Sequence, residues 1–252
     1  MRLRIITVGL FIVFFSSSVY ALTGPATAQL DKGQWSISGN YFYSSQDMDK
    51  VKVKENDGDI YNLTISDWNM NRYYAQLNYG INDNLQVFGR LGMFDIKAQY
   101  KVIGSQSFGG VNFDNDIFYG LGLKYTFAED ETTDWGAAFN INMLNASATE
   151  KYNAGTQEMN VDVDCMEYVF VIGPTIDMDS WNLYGGALCS MLSIDHDHKD
   201  TQGDKGSGDN ETVSIGGYIG AQFDISDNYI MSMELQATDN GWGIGAGIEI
   251  PF

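Results

Sequence analysis

The chain has 252 residues, 14 basic against 33 acidic, a formal charge of −19, and 28 glycines, 15 tyrosines and 14 phenylalanines. There is no basic stripe to release counterions from phosphates, which excludes nucleic acid as a partner. Past the N-terminus no stretch reaches 18 apolar residues, so any membrane span must be made of strands closed into a barrel.

The first 21 residues read as a secretory signal. Arg2 and Arg4 form a basic start, Ile5 to Phe15 an apolar run too short to cross a bilayer, and Val19-Tyr20-Ala21 a small-residue cleavage site. Cleavage is expected after Ala21, leaving 22–252 as one exported domain. Losing Arg2 and Arg4 leaves 12 basic residues against the 33 acidic ones, a formal charge of −21. That acidity suits solvated outer loops that bind divalent cations; equally, it serves solubility alone. Export leads to an oxidising compartment. Cys165 and Cys189 fall on neighbouring strands but opposite faces, and read as free or buried thiols, with a disulfide as the alternative.

After a short polar lead, 22–33, segments of period two follow one another. Gln34–Ser45 sets Trp35, Ile37, Tyr41 and Tyr43 against Ser36, Ser38 and Asn40. Asn71–Ile81 and Leu85–Asp95 flank an Asn82-Asp83-Asn84 turn, rich in residues that tolerate left-handed backbone. Asp116–Phe127 and Trp135–Leu144 flank an acidic turn at 128–134. Val161–Ile176 and Trp181–Leu192 flank 177–180. Thr212–Ile225 and Tyr229–Thr238 flank 226–228. Gly241–Phe252 closes the chain, with Trp242, Ile244, Ala246, Ile248, Ile250 and Phe252 against four glycines, Glu249 and Pro251. No helix, linker or second compositional regime interrupts this series. The fold class is therefore all-β: an up-and-down antiparallel barrel of ten strands, with eight as the alternative.

Alternation does not say which face is inside. A soluble sandwich turns its apolar face inward; a membrane barrel turns it outward. Short connections alternate with long ones at 46–70, 96–115, 145–160 and 193–211, as periplasmic turns and outer loops do. Trp35, Tyr79, Tyr125, Phe127, Trp135, Trp181, Phe223, Tyr229 and Phe252 gather at strand ends beside the short turns, as an interfacial girdle does. Arg72, Arg90, Lys124, Glu167, Asp224, Glu234 and Glu249 all fall on the other face, where glycine, serine, asparagine and glutamine make a poor packed core and an ordinary polar lumen. These features favour the membrane barrel, in the outer membrane and in contact with its lipid.

Tyr79–Gly92, Gly120–Phe127 and the Phe252 terminus resemble the small bacterial outer-membrane β-barrel superfamily, with its OmpA-like, OmpW-like and opacity-protein-like members. The resemblance is one of pattern and covers nearly the whole exported chain. It implies that the closing strand, ending at Phe252, is the signal read by the outer-membrane assembly machinery.

Two constellations could carry chemistry. Asp195-His196-Asp197-His198 lies in an expected outer loop, where it is either a divalent-metal site or a solvated acidic stretch. The lumen charges are either a selective constriction or an ion-pair network that fills a narrow barrel. Known barrel enzymes offer a third reading. Omptin-like proteases use Asp-x-His, and lipid A deacylase-like barrels use His-x-Ser. Here Asp195 and His196 are adjacent, His198 follows His196 at two, and Asp200 follows His198 at two, so neither pattern is met. No catalytic residue and no cofactor is expected. The functional expectation is a structural or surface-interaction barrel working through long acidic outer loops, with a narrow channel as the alternative and a hydrolase behind both.

Overall fold

The computed structural model describes residues 21–55, 60–102, 108–152, 157–200, 205–226 and 228–252. The expected signal lies outside these residues except for Ala21. Ten strands follow in order: β1 (Trp35–Glu55), β2 (Ile60–Asn82), β3 (Leu85–Val102), β4 (Phe108–Glu129), β5 (Thr133–Tyr152), β6 (Gln157–Asp177), β7 (Trp181–Asp200), β8 (Lys205–Ser226), β9 (Tyr229–Thr238) and β10 (Gly241–Pro251). Each pairs antiparallel with its chain neighbours, and β1 pairs with β10 to close the ring. The barrel has ten strands, not eight.

The ladder is staggered. A row of paired residues starting at Asn182 runs through Gln222, Ser232, Gly247, Asn40, Tyr74, Gly92, Phe118, Leu144 and Cys165, and returns to β7 twelve residues on, at Ile194. A stagger of that size in ten strands tilts them by about 40° from the axis. At about 3.3 Å per residue, strands of 18–23 residues then stand roughly 50 Å tall, about twice the apolar band of a membrane barrel.

The extra height comes from the segments expected as loops. Residues 46–70, 96–115, 145–160 and 193–211 are mostly strand, and their ladders continue with a few bulges, as between Gln46, Met48 and Val51. The cause is a change of phase. Low in the barrel, Leu91, Met93, Ile117, Leu121 and Ile219 face outward, while Gln76, Asn78, Gln86, Asn140 and Gln222 are buried inside. Higher up, Phe94, Ile96, Leu144, Ala146, Val161, Val163, Leu192 and Ile194 are buried inside. Asp95, Lys97, Asn145, Asp162, Asp164, Asp195 and Asp197 alternate with them, on the outer face. The switch falls at Met93-Phe94, Met143-Leu144 and Met191-Leu192, where one apolar residue follows another and the alternation changes sides. Below it the barrel is built for lipid; above it, the wall is built as a soluble barrel is, apolar within and polar without.

The β9–β10 hairpin stops at this boundary. Its tip is tied down by Asp47 N–H donating to the Asn240 carbonyl (2.8 Å) and Asp239 N–H donating to the Ile215 carbonyl (3.1 Å). Beyond it β1 and β8 pair directly, Lys54 with Ser207 and Glu55 with Gly206. At the other end the turns are tight. Asp179 takes φ 66° between β6 and β7, and its N–H donates to Asp177 Oδ1 at 2.9 Å.

The two halves of the wall predict opposite responses to one substitution. Leu121→Arg, on the outward face of the lower half, lowers stability in lipid vesicles by about 2–4 kcal/mol. Thr149→Arg, outward in the upper half, stays within about 0.5 kcal/mol of the parent. Urea titration of the vesicle-inserted protein reads both.

Candidate functional site

The residues expected as a polar lead do not lie outside the barrel. Residues 21–30 run up its axis, and Ala21, Leu22, Thr23, Ala26, Thr27 and Leu30 are buried. Gly33, at φ 84°, makes the entry: its N–H donates to the Gly80 carbonyl at 2.8 Å, and Gly80 N–H returns a bond to the Gln34 carbonyl at 3.0 Å. The segment has no internal ladder, so its backbone groups are satisfied by lumen side chains. Gln29 N–H donates to Gln86 Oε1 (2.9 Å), Ala28 N–H to Thr126 Oγ1 (3.0 Å), and the Thr27 and Thr175 hydroxyls meet at 2.7 Å. Lumen glycines make room for it. A Cβ on Gly136 would stand 2.7 Å from the Ala26 carbonyl oxygen. The space the glycines leave is thus filled by the chain itself.

The upper end of the segment is held by charge. The carbonyl of Leu22 accepts from Arg90 Nη2 at 2.8 Å and from the Tyr74 hydroxyl at 3.3 Å. On the other side of the same peptide unit, Thr23 N–H donates to Glu234 Oε1 at 2.9 Å. One peptide dipole therefore bridges a cation and an anion that sit on different strands, β3 and β9. Glu234 also accepts from the Thr23 hydroxyl (3.0 Å), Gly24 N–H (2.8 Å) and Gln236 Nε2 (2.5 Å). Arg90 donates to Gln76 Oε1 at 2.6 Å and lies over the rings of Phe88 (4.6 Å) and Tyr74 (5.3 Å). Its Nη1 has no partner among the described residues.

Above this level Arg72 and Glu167 form a bidentate pair at 2.9 and 2.8 Å, and Asn142 Nδ2 donates to Glu167 at 2.5 Å. Both charges are buried, the guanidinium lies 5.7 Å from the centre of the Phe118 ring, and the apolar upper chamber stands over them. Of the other charges expected in the lumen, Lys124 is buried beside Gly24. Glu249 is half-buried and accepts from the Ser36 hydroxyl at 2.5 Å. Asp224 is exposed near the end of β8, at the rim, because its strand leaves the barrel two residues later.

Asp195, His196, Asp197 and His198 belong to β7, not to a loop. Strand alternation sends Asp195 and Asp197 outward and His196 to the opposite face, so the two acids and His196 point apart. The outward acids instead line up across strands, Asp164 beside Asp195 beside Asp209 and Asp162 beside Asp197. Among the described residues no group of three or more ligating side chains could hold a metal. Cys165 is buried, Cys189 is exposed, and both are free.

The nine aromatics at the short-turn end stand on the outer surface, exposed or half-buried, with Trp35 against Tyr79 (4.5 Å between ring centres) and Trp181 stacked on Phe223 (6.0 Å). Phe252 exchanges two main-chain hydrogen bonds with Trp35, which seals the last turn of the ladder. A second belt went unread in the sequence: Tyr43, Tyr73, Tyr119, Tyr168 and Trp242. Tyr43 lies 5.4 Å from Trp242, and its hydroxyl donates to Asn69 Oδ1 at 2.9 Å, toward the polar upper wall. Eight residues separate Trp35 from Tyr43 on β1, roughly 20 Å of depth at this tilt. Across the ladder Tyr73 stands beside Met93, Tyr119 beside Met143 and Tyr168 beside Met191, the outward residues at the phase switch.

A closed ladder with an apolar outer wall between two aromatic belts is a solution only for lipid. No protein-family model matches the chain, and no curated protein sequence matches it. Solved structures do. The chain is similar to the outer membrane protein OprG from Pseudomonas aeruginosa, with a TM-score of 0.55 over 88% of this chain and 97% of that one, at 11% identity. It also aligns with the outer membrane protease OmpT from Escherichia coli, TM-score 0.48 over 87% and 96% at 7% identity. The attachment invasion locus protein Ail of Yersinia pestis aligns over 88% and 99%, with TM-score 0.35 and 15% identity.

The fold is that of the bacterial outer-membrane β-barrels. The outer-membrane barrel meets lipid through its lower wall and stands clear of it above. Proteins of different function share this fold, so the role has to be argued from the lumen and the wall.

The ion-pair layer predicts its own asymmetry. Arg72→Met leaves the Glu167 carboxylate buried without its cation and destabilises the barrel by about 3–5 kcal/mol. Adding Glu167→Gln restores most of that loss. Urea unfolding of the two variants in detergent micelles, followed by tryptophan fluorescence, measures the difference.

Proposed function

We propose that the chain is a non-catalytic structural barrel whose lumen does not conduct at rest and whose working surface is the acidic wall above the membrane. The observation that carries this is the occupation of the lower lumen by residues 21–30, gripped by Glu234, Arg90, Gln86, Thr126 and Thr175. Two further layers support it: the buried Arg72–Glu167 pair and the apolar chamber over it. A solute would have to displace all three. The projecting wall carries Asp162, Asp164, Asp195, Asp197, Asp209 and Glu211 on its outer face, a surface suited to cationic partners. Residue chemistry supports no hydrolase, since the acids and His196 of the one histidine cluster face apart. The closing strand with Phe252 serves assembly.

A narrow channel is the second reading, and one observation favours it. The segment is held mostly by hydrogen bonds, so competing donors or a conformational change can release it.

Single-channel recording in planar bilayers tests the two. The folded parent protein is expected to be silent from −100 to +100 mV. Gly136→Val, whose side chain pushes into residues 26 and 27, is expected to give discrete openings. Reproducible openings from the parent protein would sink the structural reading in favour of the channel.

A further inference from the structure

We infer that Glu234 is the receptor for the α-ammonium group that removal of the expected signal leaves at Leu22. The inference deepens the sealed-barrel reading and rests on it. Its readout is amine reactivity, not conductance, so either can fail alone.

Ala21 is 1% exposed, inside the lumen, with its carbonyl accepting from Gln236 Nε2 at 3.2 Å. Leu22 beyond it is 6% exposed and fixed by Arg90 and Tyr74. No peptidase active site reaches a peptide bond enclosed by ten strands. The small-residue pattern Val19-Tyr20-Ala21 marks this bond for hydrolysis. Hydrolysis consumes one water: the carboxylate leaves with Ala21, and the Leu22 nitrogen takes up a proton as an ammonium.

The new charge has a destination. Thr23 N lies 2.9 Å from Glu234 Oε1, and the Leu22 nitrogen precedes it by one residue, a step of about 3.8 Å or less. Thr23, Gly24 and Gln236, all neutral, donate to Glu234, and although Lys124 lies beside Gly24, no ion pair reaches this carboxylate among the described residues, whereas Glu167 has Arg72. A buried carboxylate held by neutral donors gains most from a cation brought to its edge. Cleavage also removes the Ala21 carbonyl from Gln236 Nε2, which keeps Glu234 Oε1 as its acceptor. The free N-terminus thus becomes part of the lumen's charge pattern: Arg90 at the carbonyl of Leu22, Glu234 at its nitrogen.

The test uses the folded protein purified from outer membranes. Mass spectrometry of the first peptide identifies the N-terminus, and acetylation by an N-hydroxysuccinimide ester is followed at that amine in folded and urea-unfolded protein. The expected result is a chain beginning at Leu22 whose α-amine reacts at least tenfold more slowly when folded, with Glu234→Gln narrowing the difference several-fold. A different first residue, or equal rates in the two states, overturns the inference without any variant having to fold. An unchanged rate in folded Glu234→Gln overturns the role given to Glu234.

Discussion

In lipid every backbone amide and carbonyl must be paired within the protein, and that constraint governs the rest of the structure. An unpaired group there costs several kcal/mol, so strands of this chain have no stable arrangement until β1 meets β10. Closure fixes the stagger, the stagger fixes the tilt, and the tilt sets which side chains share a level. The pairing of Trp35 with Phe252 at the lower edge and of Gln46 with Gly241 at the upper edge brackets the length of β1 that this closure consumes. Outside that length β1 is in water, and its sequence changes accordingly.

Much of this was legible in the residues. Period-two alternation located all ten strands, because a lipid-facing wall punishes any register slip with a charge in hydrocarbon. The boundaries near the short turns were legible too, since aspartate and asparagine mark tight reversals. The upper half was not. There the apolar face turns from outside to inside, and two half-alternations in opposite phase, joined at Met93-Phe94 or Met143-Leu144, read as a strand that ends and a loop that begins. The acids Asp195 and Asp197 strengthened that impression, although each is simply the outward member of an alternating pair with Ile194 and His196 between and below them.

The inner segment was harder still. Residues 22–30 carry no period, because they form no regular element; their partners are side chains on five strands far away in sequence. The indirect sign was on the strands. A lumen with glycine at 80, 136 and 245, each of whose added Cβ would strike residues 22–31, has been hollowed for something. Composition alone showed a polar lumen with some room in it, and not what fills that room. The charged pairs were visible as residue types, but which would pair depended on the stagger, and only the ladder brings Arg72 opposite Glu167 while leaving Arg90 and Glu234 to be joined by a peptide of the inserted chain.

The direct pairing of β1 with β8 over the short last hairpin makes the molecule a bottle rather than a tube. Ten strands set the girth of the body and eight that of the neck, and circumference scales with strand number, so the neck is narrower by about a fifth. Body and neck then answer to different rules. The body's width is tied to its lipid seal and to the inserted segment, and changing it means rebuilding every register. The neck's strands stand above the outward apolar wall. Their outward residues can therefore change without moving a register of the body or disturbing the segment inside it, and one frame can carry different upper walls.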